Sequence, residues 1–547
     1  MVLVFGALGV RLFQLQARDQ QELASLGVGQ RLQTIELAAE RGNIFDRNGV
    51  DLAVSVPQTT ITADPRLIKD PAGYAAALAP ILGVDQMALE NRLAARDTAF
   101  QYVARKVDDE ATAKVRHLDL AGISYVPESK RFYPQDRLAG PVLGFVGTDN
   151  NGLGGLEYLY ESKLNGTSGE VQIERDPQGN AIPGGERRIR TAERGVDLVL
   201  TIDRYLQFKA EQVLTAEVDR AGAVGGIAIL ADVRTGNILA MANVDGATDT
   251  EPTQPSSATE LNQAVAMAYE PGSTNKVITM AGALQEGLVA PGTEITGVGS
   301  YIRVGDKDYH DVDSHPTTMT VAQILEHSSN VGTIMIADML EKERLDRYLR
   351  SFGFGQPTTL GLPGESSGSL LPLNQYNSTS MGSIPVGNGI SVTAMQMLNV
   401  YMTIANGGMA RPPRIIAATV DDRGNRNDVT LLPPHVVVSS DTATQLTGML
   451  TAVVNSGTGV KAAVSGYTVA GKTGTARKPP YTGAYMASFV GFAPAEAPRL
   501  AAIVVLDEPR AGSYYGGDVA APAFGQIMQE ALRVERVPPT ALAAPLP

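Results

Sequence analysis

The chain opens on ten apolar residues, Met1-Val-Leu-Val-Phe-Gly-Ala-Leu-Gly-Val10, which Arg11 interrupts. A bilayer-spanning helix needs roughly 20 such residues. The run lacks a preceding basic flank and a small-residue cleavage site. It reads either as a buried N-terminal helix or, over residues 1–16, as the remnant of a membrane anchor. Apolar positions Phe13, Leu15, Leu23 and Leu26 among Gln, Arg, Asp and Glu then predict a polar helix. From Leu32 the period changes to two. Leu32-Gln-Thr-Ile-Glu-Leu37 alternates, and two strand-like runs flank Arg47-Asn48-Gly49, the Asn-Gly pair that signals a hairpin. Helical spacing returns over 73–82, 85–95 and 108–117, and Gly/Pro-rich chain without clear period follows to about 195. Residues 17–195 are therefore expected to form a mixed α+β, non-catalytic unit.

A second region opens at 196–203 with a strand, followed by a helix over 204–220 and strands at 226–231 and 238–242, joined by the turn Arg234-Thr235-Gly236-Asn237. A helix is predicted from the Ser273 segment to about 286. Thr320 is placed to cap a short helix ending at His327, and after Ser328-Ser329-Asn330 another helix runs from 331 to about 350. Three successive strands (467–476, 485–493, 500–507) and a closing helix (519–533) complete the region, and 536–547 reads as a frayed tail. With strands at both ends and helices between, residues 196–535 are expected to fold as a helix-covered sheet whose first and last strands meet.

Composition changes this picture only by exclusion. The 547 residues carry a net charge of −13 with no basic patch, which argues against nucleic-acid binding. The absence of cysteine removes disulfides, thiolate metal sites and cysteine nucleophiles.

Several motifs compete for the chemistry. Gly466-Tyr-Thr-Val-Ala-Gly471-Lys472-Thr473 matches a phosphate-binding loop, and Ile503-Val-Val-Leu-Asp507-Glu508 imitates its magnesium strand. Such a loop must open a helix, yet Gly474-Thr-Ala-Arg-Lys-Pro479-Pro480 follows, so ATP chemistry is not expected. Gly364-Glu-Ser366-Ser-Gly368 matches a nucleophile elbow but has no strand entering it and no helix leaving it, and it reads as a surface loop. His310 and His315, in a Gly/Asp-rich loop, read as solvated rather than as metal ligands; no metal and no cofactor are expected.

Three patterns agree with one another: Ser273-x-x-Lys276 where a helix begins, Ser328-x-Asn330 between helices, and Lys472-Thr473-Gly474-Thr475 on a strand. Side chains three apart share a helix face, which sets the Ser273 hydroxyl beside the Lys276 amine near the free N–H groups of a helix start. That is the setting of an activated nucleophile.

Arg41-Gly-Asn-Ile-Phe-Asp46-Arg47-Asn48-Gly49, Gly152-Leu-Gly-Gly-Leu156-Glu157, Gly389-Ile-Ser-Val-Thr393 and Tyr514-Tyr515-Gly516-Gly517 with Ala521-Pro522 accompany the triplet. Together they resemble the penicillin-binding transpeptidases, and within them the monofunctional class B members, over nearly the whole chain. The compact N-terminal region and the strand Ala53-Val-Ser-Val56 look more like the division-specific FtsI type than the elongation-specific one. The family's cytosolic tail and complete membrane helix are not found in this sequence, so a missing start is expected.

The resemblance implies an α+β multidomain protein: a penicillin-binding, serine β-lactamase-like transpeptidase domain with an antiparallel sheet, on an N-terminal α+β pedestal. It implies that Ser273 attacks the bond between the terminal D-alanines of a peptidoglycan stem peptide, and that the amine of a neighbouring stem peptide then takes the acyl group. Lys276 would accept the proton, made neutral by burial and by Lys472 nearby. Ser328 would relay the proton and Asn330 would bind the substrate backbone. Lys472, Thr473 and Thr475 would hold the terminal carboxylate, with Gly474 between them, and the Ser273 and Thr475 amides would form the oxyanion hole. β-Lactams would acylate the same serine. The implied partners are an FtsW-type lipid-II polymerase, other divisome proteins and, through the N-terminal helix, the membrane, with the catalytic domain outside the cytoplasm. A glutamate followed four residues later by asparagine, the deacylating pair of class A β-lactamases, is missing between Asn330 and Lys472. A D,D-carboxypeptidase, an elongation-specific enzyme and a non-catalytic β-lactam sensor or scaffold remain open at this point.

Overall fold

The computed structural model describes residues 4–6, 32–174, 187–246 and 261–540. The helix expected at 13–26, most of residues 1–16 and residues 541–547 lie outside them. Among the described residues, no helix is long and apolar enough to cross a membrane.

In the N-terminal part, the predicted hairpin pairs Ile44–Phe45 with Asp51–Ala63. Its turn uses Gly49 at φ 82°, where a side chain is disfavoured. The Asp46 carboxylate closes it by accepting from the Asn48 and Val50 amides at 2.7 and 2.9 Å. Helices Pro71–Leu82, Gln86–Ala94 and Asp109–His117 each begin at an aspartate, Asp70, Asp85 or Asp108, whose carboxylate caps a free amide of the first turn.

The stretch expected to be irregular contains strands Ile123–Phe132, Gly169–Glu174 and Arg187–Arg190. The first of these pairs with the long strand Asp51–Ala63 along its whole length. Two of its charged residues are paired with other segments: Glu128 meets Arg105 at 2.5 Å, and Arg131 meets Glu157 at 2.7 Å. That pairing conceals the alternation that a strand normally shows.

Glu157 is completely buried between two arginines. Arg41 and Arg131 each donate to one carboxylate oxygen at 2.7 Å, and Arg41 also reaches the Glu157 carbonyl at 2.8 Å. The Arg41-Gly and Gly-Leu-Glu motifs, far apart in sequence, therefore form one ionic centre. The two parts of the chain share a sheet: Asp197–Leu200 runs parallel to Ile44–Phe45 and antiparallel to Ile416–Val420. The Arg47 amide donates to Ile202 O at 2.9 Å, and the Asn48 side chain to Asp203 at 3.0 Å.

The larger region is a three-layer sandwich. Helix α1 (Arg204–Ala221) starts at Asp203, whose carboxylate accepts from the Tyr205 and Leu206 amides, and ends at Gly222 in the left-handed conformation. Strands β1 (Gly225–Asp232) and β2 (Ile238–Asp245) follow. Helices α2 (Lys276–Gln285), α3 (Val321–Glu326), α4 (Asn330–Leu340), α5 (Ala394–Ala405) and α6 (Ser440–Asn455) come next. Strands β3 (Ala470–Arg477), β4 (Tyr485–Ala493) and β5 (Leu500–Asp507) and helix α7 (Gly516–Val534) close the domain.

The antiparallel sheet runs β2-β1-β5-β4-β3, so the last strand meets β1 and β3 lies at an edge, while the opening strand Asp197–Leu200 belongs to the other sheet. Alternate β5 side chains serve opposite cores. Ala501, Ile503 and Val505 face α2 and α5, while Ala502, Val504 and Leu506 face α1 and α7. Burial on both faces explains why this strand reads as a continuous apolar run. The helix expected over 331–350 is two helices, broken at Glu341, whose φ of 68° ends α4 before Lys342–Ser351. Beyond α7, Tyr467 Oη donates to Val537 O at 2.6 Å and the Thr540 amide to Gly466 O at 3.1 Å.

Replacing Glu157 with alanine leaves two arginines facing each other out of solvent. The expected loss is about 3–5 kcal/mol of stability, read as a lowered urea midpoint by circular dichroism. A loss below about 1 kcal/mol contradicts the role given to this centre.

Candidate active site

Ser273 sits in a 3-10 turn, Gly272–Asn275, that runs directly into α2. It is thus one turn earlier than a first-turn α-helical placement, and Lys276 is the residue at the junction. Close packing fixes the turn from several sides. Tyr401 Oη of α5 donates to Thr274 O at 3.0 Å, Asn275 Nδ2 to Ile384 O at 2.8 Å, and Thr274 Oγ1 to Pro271 O at 2.8 Å. Gly272 has φ 54°, and its amide donates to Gly387 O at 3.0 Å. A methyl group at Gly387 would lie 2.1 Å from Gly272 O, so both glycines are required by a close backbone approach. Within the buried run 271–276, Ser273 alone is partly exposed.

Lys276 is fully buried. Its Nζ donates to the Ser328 carbonyl and, at 3.2 Å, to Ser328 Oγ. A neutral amine has two N–H donors and one lone pair, so these two bonds use its donors and leave its lone pair. Burial brings the amine from 10.5 down to about 7, and Asp311 pulls in the opposite direction. Burial, the first of the two causes expected, is the largest one for Lys276. Lys472 is itself fully buried, and its own ammonium is strongly disfavoured, first by burial and then by Lys276.

The Ser328-Ser329-Asn330 turn links α3 and α4. Thr320 and Gln323 form a reciprocal capping box at the start of α3, as the sequence predicts. Ser328 adopts φ 59°. Ser329 caps α4 by accepting from the Gly332 amide at 2.9 Å, and Asn330 Nδ2 donates to His310 O at 2.7 Å.

On β3, Lys472 Nζ lies 3.3 Å from Thr473 Oγ1, which contacts Thr458 Oγ1 at 2.8 Å. Thr475 Oγ1 accepts from the Gly516 amide at the start of α7 at 3.0 Å, which leaves its own hydrogen available. A Cβ on Gly474 would come 2.3 Å from Ser488 Oγ and 3.0 Å from Pro271 O. Glycine lets the strand lie against the nucleophile turn. Ser273, Ser328, Asn330, Thr473 and Thr475 line one cavity of about 1070 Å³ together with Tyr481, Tyr485, Tyr514 and Tyr515. Tyr485 and Tyr514 stack at 4.2 Å between ring centres.

The rival motifs are placed elsewhere. Lys472-Thr473 lies within β3 and opens no helix. Ser366 is in a loop, where its amide donates to Val265 O at 2.9 Å. His315 departs from expectation: its side chain is 6% exposed and bound to Asp311 at 2.6 Å. No cluster of metal-ligating side chains occurs among the described residues. Asp311, which the sequence reading passed over, accepts from Ser329 Oγ at 2.6 Å and from the Asn330 and Val331 amides. Its only sequence signal is an acid between the two histidines.

A serine on a helix-leading turn, beside a dehydrated lysine and the edge strand of an antiparallel sheet, defines the class of serine acyl-transfer enzymes. The penicillin binding protein transpeptidase domain matches residues 226–529, and the penicillin-binding protein dimerisation domain matches 36–200. Penicillin-binding protein PbpB of Mycolicibacterium smegmatis is 34% identical over 98% of this chain and 89% of its own. Peptidoglycan D,D-transpeptidase FtsI of Escherichia coli is 33% identical over 97% and 90%. Penicillin binding protein 3 of Mycobacterium tuberculosis, solved in complex with aztreonam, superposes with a TM-score of 0.71 at 31% identity, covering 93% of this chain and all of that one. The chain belongs to the penicillin-binding protein transpeptidase family, in the class B arrangement of a dimerisation domain followed by a transpeptidase domain.

Gly387→Ala is expected to push Gly272 and the Ser273 turn out of place and to slow acylation by a fluorescent penicillin at least about tenfold, with added backbone strain of roughly 1–3 kcal/mol. Stopped-flow acylation, with circular dichroism to verify folding, checks this. An unchanged rate contradicts the packing described.

Proposed function

We propose that this protein is a peptidoglycan D,D-transpeptidase of the division-specific type, using Ser273 as nucleophile. The observation that carries the reading is the fully buried Lys276, whose two N–H donors are engaged by Ser328 while its amine is held near neutrality. Ser273 Oγ attacks the carbonyl between the terminal D-alanines as its proton passes to Lys276 Nζ. The C–N bond breaks, Ser328 relays the proton to the leaving amine, and D-alanine departs from the acyl-enzyme. The amine of a second stem peptide then attacks the ester. A new amide bond forms, the Oγ–C bond breaks, and the proton returns to Ser273 through Lys276.

Asn330 and the free edge of β3 hold the extended donor peptide. Lys472, Thr473 and Thr475 receive its carboxylate, since the Thr475 hydrogen is available to donate. Gly474 permits the close approach, and the Ser273 and Thr475 amides take the oxyanion. A β-lactam follows the first step and stops at the ester, as the complexes of its relatives with aztreonam and ampicillin support. Residues 17–195 act as a pedestal beneath the transpeptidase domain at 196–535. An N-terminal anchor holds both at the outer membrane face, where an FtsW-type polymerase and other divisome proteins supply and direct new glycan. The FtsI and PenA names of relatives at 31–33% identity support the septal assignment.

The test is cross-linking of newly polymerised glycan, with and without an FtsW-type polymerase. Wild-type protein is expected to give cross-linked dimer. Ser273→Ala is expected to give none and no mass adduct after penicillin treatment. Tetrapeptide alone indicates a carboxypeptidase, and an adduct on Ser273→Ala contradicts the nucleophile. Because Lys276 must be neutral to accept the proton, wild-type acylation is expected to rise with pH through about 7.

A further inference from the structure

The segment 311–316, between strand Lys307–His310 and strand Thr318–Thr320, contributes one carboxylate to the back of the Ser328–Asn330 turn. The Asp311 side chain is 3% exposed. One of its oxygens accepts from the Asn330 and Val331 amides, and the other accepts from Ser329 Oγ at 2.6 Å and lies 2.6 Å from His315 Nε2. Three donors, the Asn330 and Val331 amides and the Ser329 hydroxyl, converge on this one carboxyl group. It binds the start of α4, where a negative charge is also favoured by the helix dipole.

His315 is equally constrained. Its Nε2 meets Asp311 Oδ2 at 2.6 Å, and its Nδ1 meets Pro316 O at 2.9 Å. A carbonyl oxygen can only accept, so Nδ1 carries a hydrogen, and Nε2 facing a carboxyl group is the arrangement of an imidazolium that donates from both nitrogens. Its bonds to Pro316 O and to Asp311 raise its affinity for the proton, with burial opposing them. The titratable amine whose charged form Asp311 favours is Lys276, bound to Ser328 next in the chain to Ser329, with Lys472 beside it. Lys307, His310, Asp313 and His327 line the same cavity.

We propose that Asp311 and His315 form an ion pair that positions the Ser328–Asn330 turn and balances the charge felt by Lys276, with Asp311 favouring its ammonium and the imidazolium offsetting that pull. Both are positioning residues, acting through the turn and through the electrostatic field. The proposal rests on Lys276 as proton acceptor and deepens that reading. It has a signature that a purely structural contact lacks: removing either charge moves the acid limb of acylation, in opposite directions. Asp311→Asn keeps an acceptor for the α4 amides and removes the negative charge, so Lys276 loses its proton more readily. His315→Gln removes the positive charge and leaves Asp311 unbalanced, so Lys276 holds its proton more tightly.

The experiment is the acylation rate constant of the full chain with a fluorescent penicillin from about pH 5.5 to about pH 9. Asp311→Asn is expected to shift the acid limb downwards and His315→Gln upwards, each by at least about half a pH unit, or about threefold in rate on the limb. Limbs that stay in place, or that move in the same direction, overturn the pair. A wild-type profile with no limb near neutrality overturns the Lys276 assignment and the proposal with it. Should either variant fail to fold, nitrogen NMR of wild-type His315 at about pH 7.5 decides: two protonated ring nitrogens support the pair, and a neutral ring overturns it.

Discussion

Two lysine side chains, Lys276 and Lys472, lie entirely out of water with no carboxylate in direct contact. Keeping both as ammonium ions in that interior is strongly unfavourable, and the protein yields by letting go of protons. For Lys276 the drop from 10.5 to about 7 corresponds to roughly 5 kcal/mol against the charged form. The rest of the transpeptidase domain can be understood from this dry centre. It requires a thick interior, which the three-layer sandwich provides, and acceptors for the amine, which the Ser328 turn provides. It also requires an opening at one point only, where Ser273 meets the cavity.

The sheet and the helices divide this work. α2 carries Lys276 into the main core, and its neighbour α5 fixes the nucleophile turn through Tyr401. β3 brings Lys472 to the other side, and its glycine at 474 lets strand and turn approach closely. The Thr475 hydroxyl is held by the first amide of α7, so the closing helix orients a cavity-lining group as well as covering the sheet. The N-terminal part is joined to the transpeptidase domain by a shared sheet and by the Asp46 turn, whose carboxylate accepts from the Arg204 amide at 3.2 Å.

Much of this was legible in the sequence because residue chemistry and local period agreed. Ser273-x-x-Lys276 at a helix start, the Thr320 cap, the Asn-Gly hairpin and the three terminal strands all follow from short-range rules. What escaped was set by tertiary packing. α5 is buried on every side and so shows no amphipathic stripe, and α6 went unnoticed within a long unassigned stretch. Strand Ile123–Phe132 hides its alternation behind charged residues that pair internally. The helix break at Glu341 uses neither glycine nor proline. His315 reads as solvated, and Asp311 gives no signal, because nothing local announces that their loop folds behind Ser329.

The central claim is that the proton acceptor beside Ser273 is a lysine kept neutral by dehydration. The most direct measurement is the ionisation of Lys276 itself, followed by NMR in protein with isotope-labelled lysine and assigned by comparison with Lys276→Arg. The account predicts one lysine titrating at about 7, whose signal is lost in that variant while surface lysines titrate near their usual value of about 10.4. A Lys276 that stays charged to about pH 10 would contradict it.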